Sequence, residues 1–202
     1  MQDLIQNMHS KRFLLIYLAV VAFLLVVYIG QQTPSDNEGQ LEPIAHGAYQ
    51  LKTPASLPNF LLRDVQQRLY TNADLRGRWH FIYFYDGACE PQCPAIWQVL
   101  SNLADRYAGQ QLGFWVIDAS QQQQLLDAPP ALPGNVRIIY DPDGERPLRQ
   151  FFVESQGTDA LLASLFLIDP NGHWLAGFRA PFTSAGIQQL YLQLRQGFAS
   201  GA

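Results

Sequence analysis

"WHFIYFYDGACEPQCPAIW", residues 79–97, is the stretch from which the fold can be read. Its first seven residues, Trp79 to Tyr85, form a continuous apolar and aromatic run, the mark of a strand buried on both faces. The loop that follows holds the only two cysteines of the chain, Cys89 and Cys93. After Pro94 the apolar positions Ile96, Val99, Leu100, Leu103 and Tyr107 recur at helical spacing, and Gly109 closes the helix. Pro94 suits the first helical turn, where its missing N–H is not needed. The stretch therefore predicts a strand, a cysteine loop and a helix that starts at Cys93.

Working outward, the pattern repeats. Leu112 to Ile117 reads as a second buried strand ending at Asp118, and Val136 to Tyr140 as a third before the turn Asp141-Pro142-Asp143-Gly144. Leu165 to Ile168 and Trp174 to Phe178 flank Asp169-Pro170-Asn171-Gly172, which makes a β-hairpin. Phe60 to Leu62 reads as a short strand leading to a turn around Gln66 and Gln67. Ile187, Leu190, Tyr191 and Leu194 mark a last amphipathic helix, with Thr183 or Ser184 placed to cap it. The order predicts an α/β fold, a mixed sheet covered by helices.

The N-terminal region reads differently. Phe13 to Ile29 carries no charge and is roughly 17 residues long, the short end of a bilayer-spanning helix. No small-x-small cleavage site follows in VVYIGQQ, so an uncleaved anchor over 13–30 is expected rather than a signal peptide. Lys11 and Arg12 precede the span and no Lys or Arg follows until Lys52, which keeps residues 1–12 in the cytoplasm and exports the rest to the periplasm. Residues 31–57, rich in Gln, Pro, Ser, Asp and Glu, read as a flexible spacer. The domain proper is expected over 58–198.

Of the 13 Lys and Arg, 11 lie beyond Gly30, with 16 of the 17 Asp and Glu, and no basic cluster appears among them. Nucleic-acid binding needs a cationic stripe, so that class is excluded. There is no Gly-rich phosphate loop, Gly-x-Ser-x-Gly elbow or HExxH zinc motif. The Asp-Pro-Asp-Gly and Asp-Pro-Asn-Gly segments lack the remaining ligands of a calcium loop and read as turns.

Cys89 and Cys93 remain, in the loop leaving the central strand, where α/β folds place their ligands. On an oxidising side of the membrane they can form a disulfide. As a structural staple they would contribute little, since closing a five-residue loop is worth about 2 kcal/mol against about 4.7 for a 100-residue loop. As a redox pair they need one thiol at a helix start, where unpaired N–H groups favour thiolate. As a metal clamp, two converging thiolates are soft ligands suited to copper(I). The spacing does not separate the last two.

The stretch from Pro58 to Trp97 resembles the Sco/SenC family of membrane-anchored, thioredoxin-fold proteins that assist cytochrome c oxidase assembly. The matching features are Pro58-x-Phe60, Asp64 before a turn, Thr71, Asp74-Leu75-x-Gly77-x-Trp79, the strand end Phe84-Tyr85, and Cys89-x-x-x-Cys93-Pro94. The N-terminal anchor and the Leu167 to Gly172 hairpin match as well. The resemblance implies a thioredoxin-like sheet, with Cys89 and Cys93 binding copper or reducing the cysteines of an oxidase subunit or another assembly factor. The chain departs from the family where the third copper ligand, a histidine, belongs: Gly157 to Ser164 contains none. His9 lies on the cytoplasmic side, His80 begins the central strand as an edge or packing residue, His173 follows a hairpin turn where a surface role is expected, and His46 lies in the spacer. Asp86 and Asp159 are poor partners for copper(I). No proline precedes Leu165, where thioredoxins carry a cis-proline. Three readings follow: a thiol–disulfide reductase of narrow specificity, a copper(I) metallochaperone, or an assembly scaffold on a relic Sco fold.

Overall fold

The computed structural model describes residues 20–21, 41–43, 47–85, 93–120, 132–142, 144, 146–157, 161 and 164–200. The chain divides into two compact units, Met1–Gly39 and Gln40–Ala202. In the first unit only Val20 and Val21 are described, both helical and exposed. The rest of the expected span at 13–30 lies outside the described residues, as does the segment 1–12. Among the described residues no helix is long and apolar enough to cross a membrane.

The second unit is built around the strand from which the sequence was read. Trp79–Tyr85 forms β5, buried at every position but Tyr85. It runs parallel to β6 (Leu112–Asp118) and antiparallel to β8 (Ser164–Ile168). β7 (Val136–Tyr140) continues the parallel set beside β6, and β9 (His173–Arg179) returns against β8. Two short strands, β3 (Leu62–Asp64) and β4 (Leu69–Tyr70), extend one side. β1 (Leu41–Pro43) and β2 (Ala48–Ser56) extend the other, so the nine-stranded mixed sheet has the order β1-β2-β9-β8-β5-β6-β7-β3-β4.

Strand periodicity sends alternate side chains of β5 to opposite faces. Phe81 and Tyr83 enter one apolar layer, with Phe114 and Val116 of β6. That layer is closed by Leu100 and Leu103 of α1 (Cys93–Arg106) and by Ile187 and Tyr191 of α3 (Ser184–Ser200). Ile82 and Phe84 enter the other layer, which Leu148 and Phe152 of α2 (Pro147–Gln156) close. Both faces are covered, and this explains why β5 has no polar alternation.

The hairpin expected at Asp169 to Gly172 is present. The Asp169 carboxylate accepts the N–H groups of Asn171 and His173, each at 2.9 Å, and Gly172 turns the chain at φ 85°. The Thr183 hydroxyl accepts the N–H of Gly186 at 3.1 Å, as a helix cap should.

The spacer boundary needs correcting. Residues 48–56, read from the sequence as part of a flexible 31–57 spacer, form β2 and pair antiparallel with β9, Tyr49 opposite Gly177. Only Ala48, Tyr49 and Leu51 of this strand are buried, and Lys52, Thr53 and Pro54 are exposed. Its apolar pattern is thus too short to register against the polar residues around it. The strand read at Phe60 to Leu62 also shifts, to Leu62–Asp64, because those are the residues that pair with β4 and β7; Phe60 and Leu62 are buried on either side of an exposed Leu61.

Candidate functional site at the carboxyl edge of the central strands

The parallel strands β5, β6 and β7 end side by side, Tyr85 opposite Asp118 and Asp118 opposite Tyr140. The Ala119 N–H donates to the Tyr85 carbonyl at 2.6 Å and ties the two strand ends together. Beyond Tyr85 the chain enters the cysteine loop. Cys89 and Asp86 lie outside the described residues. Cys93 is the first residue of α1, so the helix begins where the sequence expected. One turn on, Trp97 packs edge-on against Tyr83 at 5.8 Å and at a tilt against Tyr85 at 5.7 Å. This aromatic clasp fixes the helix start against the strand end, and both ends of the cysteine loop are therefore anchored.

Asp118 is a site residue that sequence reasoning treated only as the end of a strand. It is 5% exposed, and its Oδ1 accepts the Ser120 N–H at 2.9 Å and the Ser120 hydroxyl at 2.5 Å. The sequence shows only a carboxylate closing the apolar run LGFWVID; the pairing of β6 with β5 is what sets it beside the cysteine strand. Across the sheet, β8 begins at this same edge with Ser164, and β9 ends there with Arg179. The Arg179 guanidinium donates to Gln156 at 3.0 Å and sits 5.5 Å from the ring of Tyr49. Burial pushes the Tyr49 phenol well above its ordinary range, and the nearby Arg179 charge only partly opposes this.

The described histidines are at the opposite edge. His80 pairs with Gly113 and Ile168 near the start of β5, fully buried, with its ring 5.2 Å from that of Trp115. From His80 to Tyr85 the strand rises roughly 17 Å. Burial lowers the His80 pKa to about 4, and the Arg78 charge adds to the effect. His173 starts β9 at that same far edge, its Nδ1 3.8 Å from Asp169. Neither reaches the cysteine end, in keeping with the packing and surface roles read from the sequence. His9, His46 and Asp159 lie outside the described residues. Among the described residues there is no group of three or more potential ligands that could hold a metal ion. Among the described residues no histidine nitrogen lies at this edge; a pair of thiolates suits copper(I), whereas copper(II) prefers a set with nitrogen or oxygen ligands.

A strand-end cysteine loop feeding a helix, in a mixed sheet with helices on both faces, defines a thioredoxin-like protein. The model of the AhpC/TSA family matches residues 54–173, and the chain belongs to that family. The fold is similar to that of a thio-disulfide isomerase from Thermus thermophilus (22% identity, 71% of this chain and 96% of that one, TM-score 0.55). It is also similar to copper-bound ScoI of Arabidopsis thaliana (14% identity, 70% and 99%, TM-score 0.52) and copper-bound yeast Sco1 (18% identity, 71% and 94%, TM-score 0.50). At these identities the likeness concerns the fold. No curated protein matches the chain significantly.

Proposed function

We propose that the chain is a Sco-like, membrane-anchored thiol–disulfide reductase that acts through Cys89 and Cys93 on the cysteines of a partner in cytochrome c oxidase assembly. The observation that carries this reading is the start of α1 at Cys93, held by the Trp97 clasp at the carboxyl end of β5. One thiolate attacks a sulfur of the partner's disulfide; that S–S bond breaks and a mixed disulfide forms. The second thiolate displaces the partner, which leaves with two electrons and, after protonation, two thiols. This chain is left with the Cys89–Cys93 disulfide. Anchoring through 13–30, with the domain in the periplasm, places the pair where a partner's copper-site cysteines become oxidised.

The second reading, a copper(I) metallochaperone, rests on the donor set. Two thiolates hold a soft d¹⁰ ion in a two-coordinate or trigonal site, and the described histidines are at the wrong edge to add a nitrogen. Copper is cargo here. A scaffold role needs neither cysteine.

One experiment on the full-length chain in detergent separates these readings. The reduced protein is titrated anaerobically with copper(I), and separately equilibrated with glutathione redox buffers followed by thiol trapping. A reversible two-electron Cys89–Cys93 couple that reduces a disulfide-bonded copper-site peptide supports the reductase. Stoichiometric copper(I) retention without peptide reduction supports the chaperone. Wild-type oxidase assembly in a Cys89→Ser/Cys93→Ser strain would overturn both.

A further inference from the structure

The opposite edge of the same strands carries a second feature. A cleft of 580 Å³ opens there, where Arg78 precedes β5, Arg137 lies in β7 and Arg68 precedes β4. All three arginines are exposed, and among the described residues none forms an ion pair. The 11 basic residues beyond Gly30 are outnumbered by 16 acidic ones, so three unpaired guanidiniums around one cleft run against the charge of the domain.

Among the described residues no carboxylate forms an ion pair with them. Asp64 is buried and already accepts the Tyr70 hydroxyl and the N–H groups of Gln66 and Arg68, each at 2.9 Å. Among the described acidic residues only Asp105 lines the cleft. Arg68 is held in advance, its guanidinium 5.3 Å from the centre of the Tyr70 ring, and stacking of this kind reduces the entropy lost when it grips a ligand. Tyr70 in turn is locked edge-on against Trp115 at 5.5 Å.

We propose that this cleft, bounded by Arg68, Arg78 and Arg137, is a binding site for a phosphate-bearing anion. A guanidinium is a planar fork that matches phosphate oxygens two at a time. A carboxylate offers two oxygens in one plane and a single charge. A phosphoryl group offers three oxygens in three directions and up to two charges, which suits three cations approaching from three separate strand ends. The volume is within the range of small-molecule pockets, roughly 300–1,000 Å³. The site lies one strand length, roughly 20 Å, from the cysteine loop, and it stands or falls independently of any thiol chemistry.

Such a group comes either from a soluble phosphate ester or from a lipid headgroup. The test uses the full-length chain in a nonionic detergent, with inorganic pyrophosphate as the calorimetric titrant. Binding is expected below about 1 mM. Arg78→Gln and Arg137→Gln should each weaken it at least about tenfold, the loss of one charge-assisted hydrogen-bonded contact. Arg195→Gln, on α3, should leave it unchanged, and unfolding midpoints confirm that each variant is folded. Raising salt should weaken wild-type binding more steeply than that of the variants. Adding phosphatidylglycerol to the micelles, against phosphatidylcholine as control, identifies the source. Competition with pyrophosphate means a headgroup site, and its absence means a soluble phosphate. No pyrophosphate binding, binding that survives both Arg78→Gln and Arg137→Gln, or an equal loss in Arg195→Gln would each overturn the proposal.

Discussion

Replacing Gly177 by alanine tests whether residues 48–56 belong to the sheet. Tyr49 lies directly opposite Gly177 in the β2–β9 pairing and is 5% exposed. Its ring lies over the glycine and meets Trp174 edge-on at 6.3 Å. A Cβ added at Gly177 would collide with the Tyr49 hydroxyl and ring, approaching even the ring's Cε1 at 2.9 Å. Because the obstructing atoms belong to a buried aromatic ring packed on a second ring, they have little room to yield. Overpacking of this kind costs about 1–3 kcal/mol. For a domain of this size that is a fall in Tm of about 2–12 °C. If Tyr49 is first changed to valine, the obstruction is gone, and Gly177→Ala should become neutral or stabilise by up to about 1 kcal/mol, since glycine is a poor strand residue. Unfolding in urea, followed by tryptophan fluorescence on the wild type, both single variants and the double variant, gives the coupling directly. Additivity within about 0.5 kcal/mol would mean that Tyr49 does not rest on Gly177, and the β2–β9 register would be wrong.

Other expectations follow from the same geometry. Phe152→Ala should cost about 3–5 kcal/mol, because that ring is fully buried at 4.2 Å from Phe166 and 5.1 Å from Trp174; the unfolding midpoint measures it. His80 is neutral in the fold, with a pKa of about 4, while the unfolded chain binds its proton below about 6.5. Stability should therefore fall as pH drops from 6.5 towards 4, by about 3 kcal/mol in all, and His80→Phe should flatten the 6.5 to 5 part of that curve in urea titrations. Changing both Cys89 and Cys93 to serine should lower the unfolding free energy by no more than about 2 kcal/mol, and a domain unable to fold without them would restore the structural-staple reading. Two copper(II) ions added to reduced protein should yield one disulfide and two copper(I), and a stable, intensely coloured one-to-one copper(II) complex would refute that. A periplasm-dependent reporter fused after Ala202 should be active in the membrane fraction, and activity in the soluble fraction would mean that the 13–30 span is cut.

What could be read from the sequence was whatever left a complete periodic signature. β5, β6 and the β8–β9 hairpin are largely apolar because helices cover both sides of the sheet, β7 keeps apolar residues around the exposed Arg137, and the bounds of all five strands came out within a residue. Helix α1 was legible from its apolar stripe and from Pro94 in its first turn. β2 was not, because it lies near the sheet's margin and buries only three side chains before turning polar. α2 was missed for a related reason. It starts at Pro147 without a side-chain cap, after Arg146 in a left-handed conformation, and it buries little beyond Leu148 and Phe152. At the site, the position of Cys93 at a helix start was legible because strand, loop and proline are all local signals. Asp118 was not singled out, since nothing in a linear sequence sets the end of one strand beside the end of another. The convergence of Arg68, Arg78 and Arg137 was invisible for the same reason, with each standing alone in its own segment.

The two borders of the sheet have a consequence for how copies of this chain coexist. A long strand with unpaired N–H and C=O groups at a border is a template on which a neighbouring chain can polymerise. Among the described residues one border is β4, two residues long. The other is β1, three residues long, and its last residue, Pro43, has no N–H to offer. β2, with nine residues, would be the dangerous one, and β1 pairs along its first half, while exposed Lys52 and Pro54 occupy the stretch beyond that pairing. Trimming the chain back to residue 48 would therefore unmask a sticky border, and the first symptom would be fibrillar or amorphous self-association rather than unfolding.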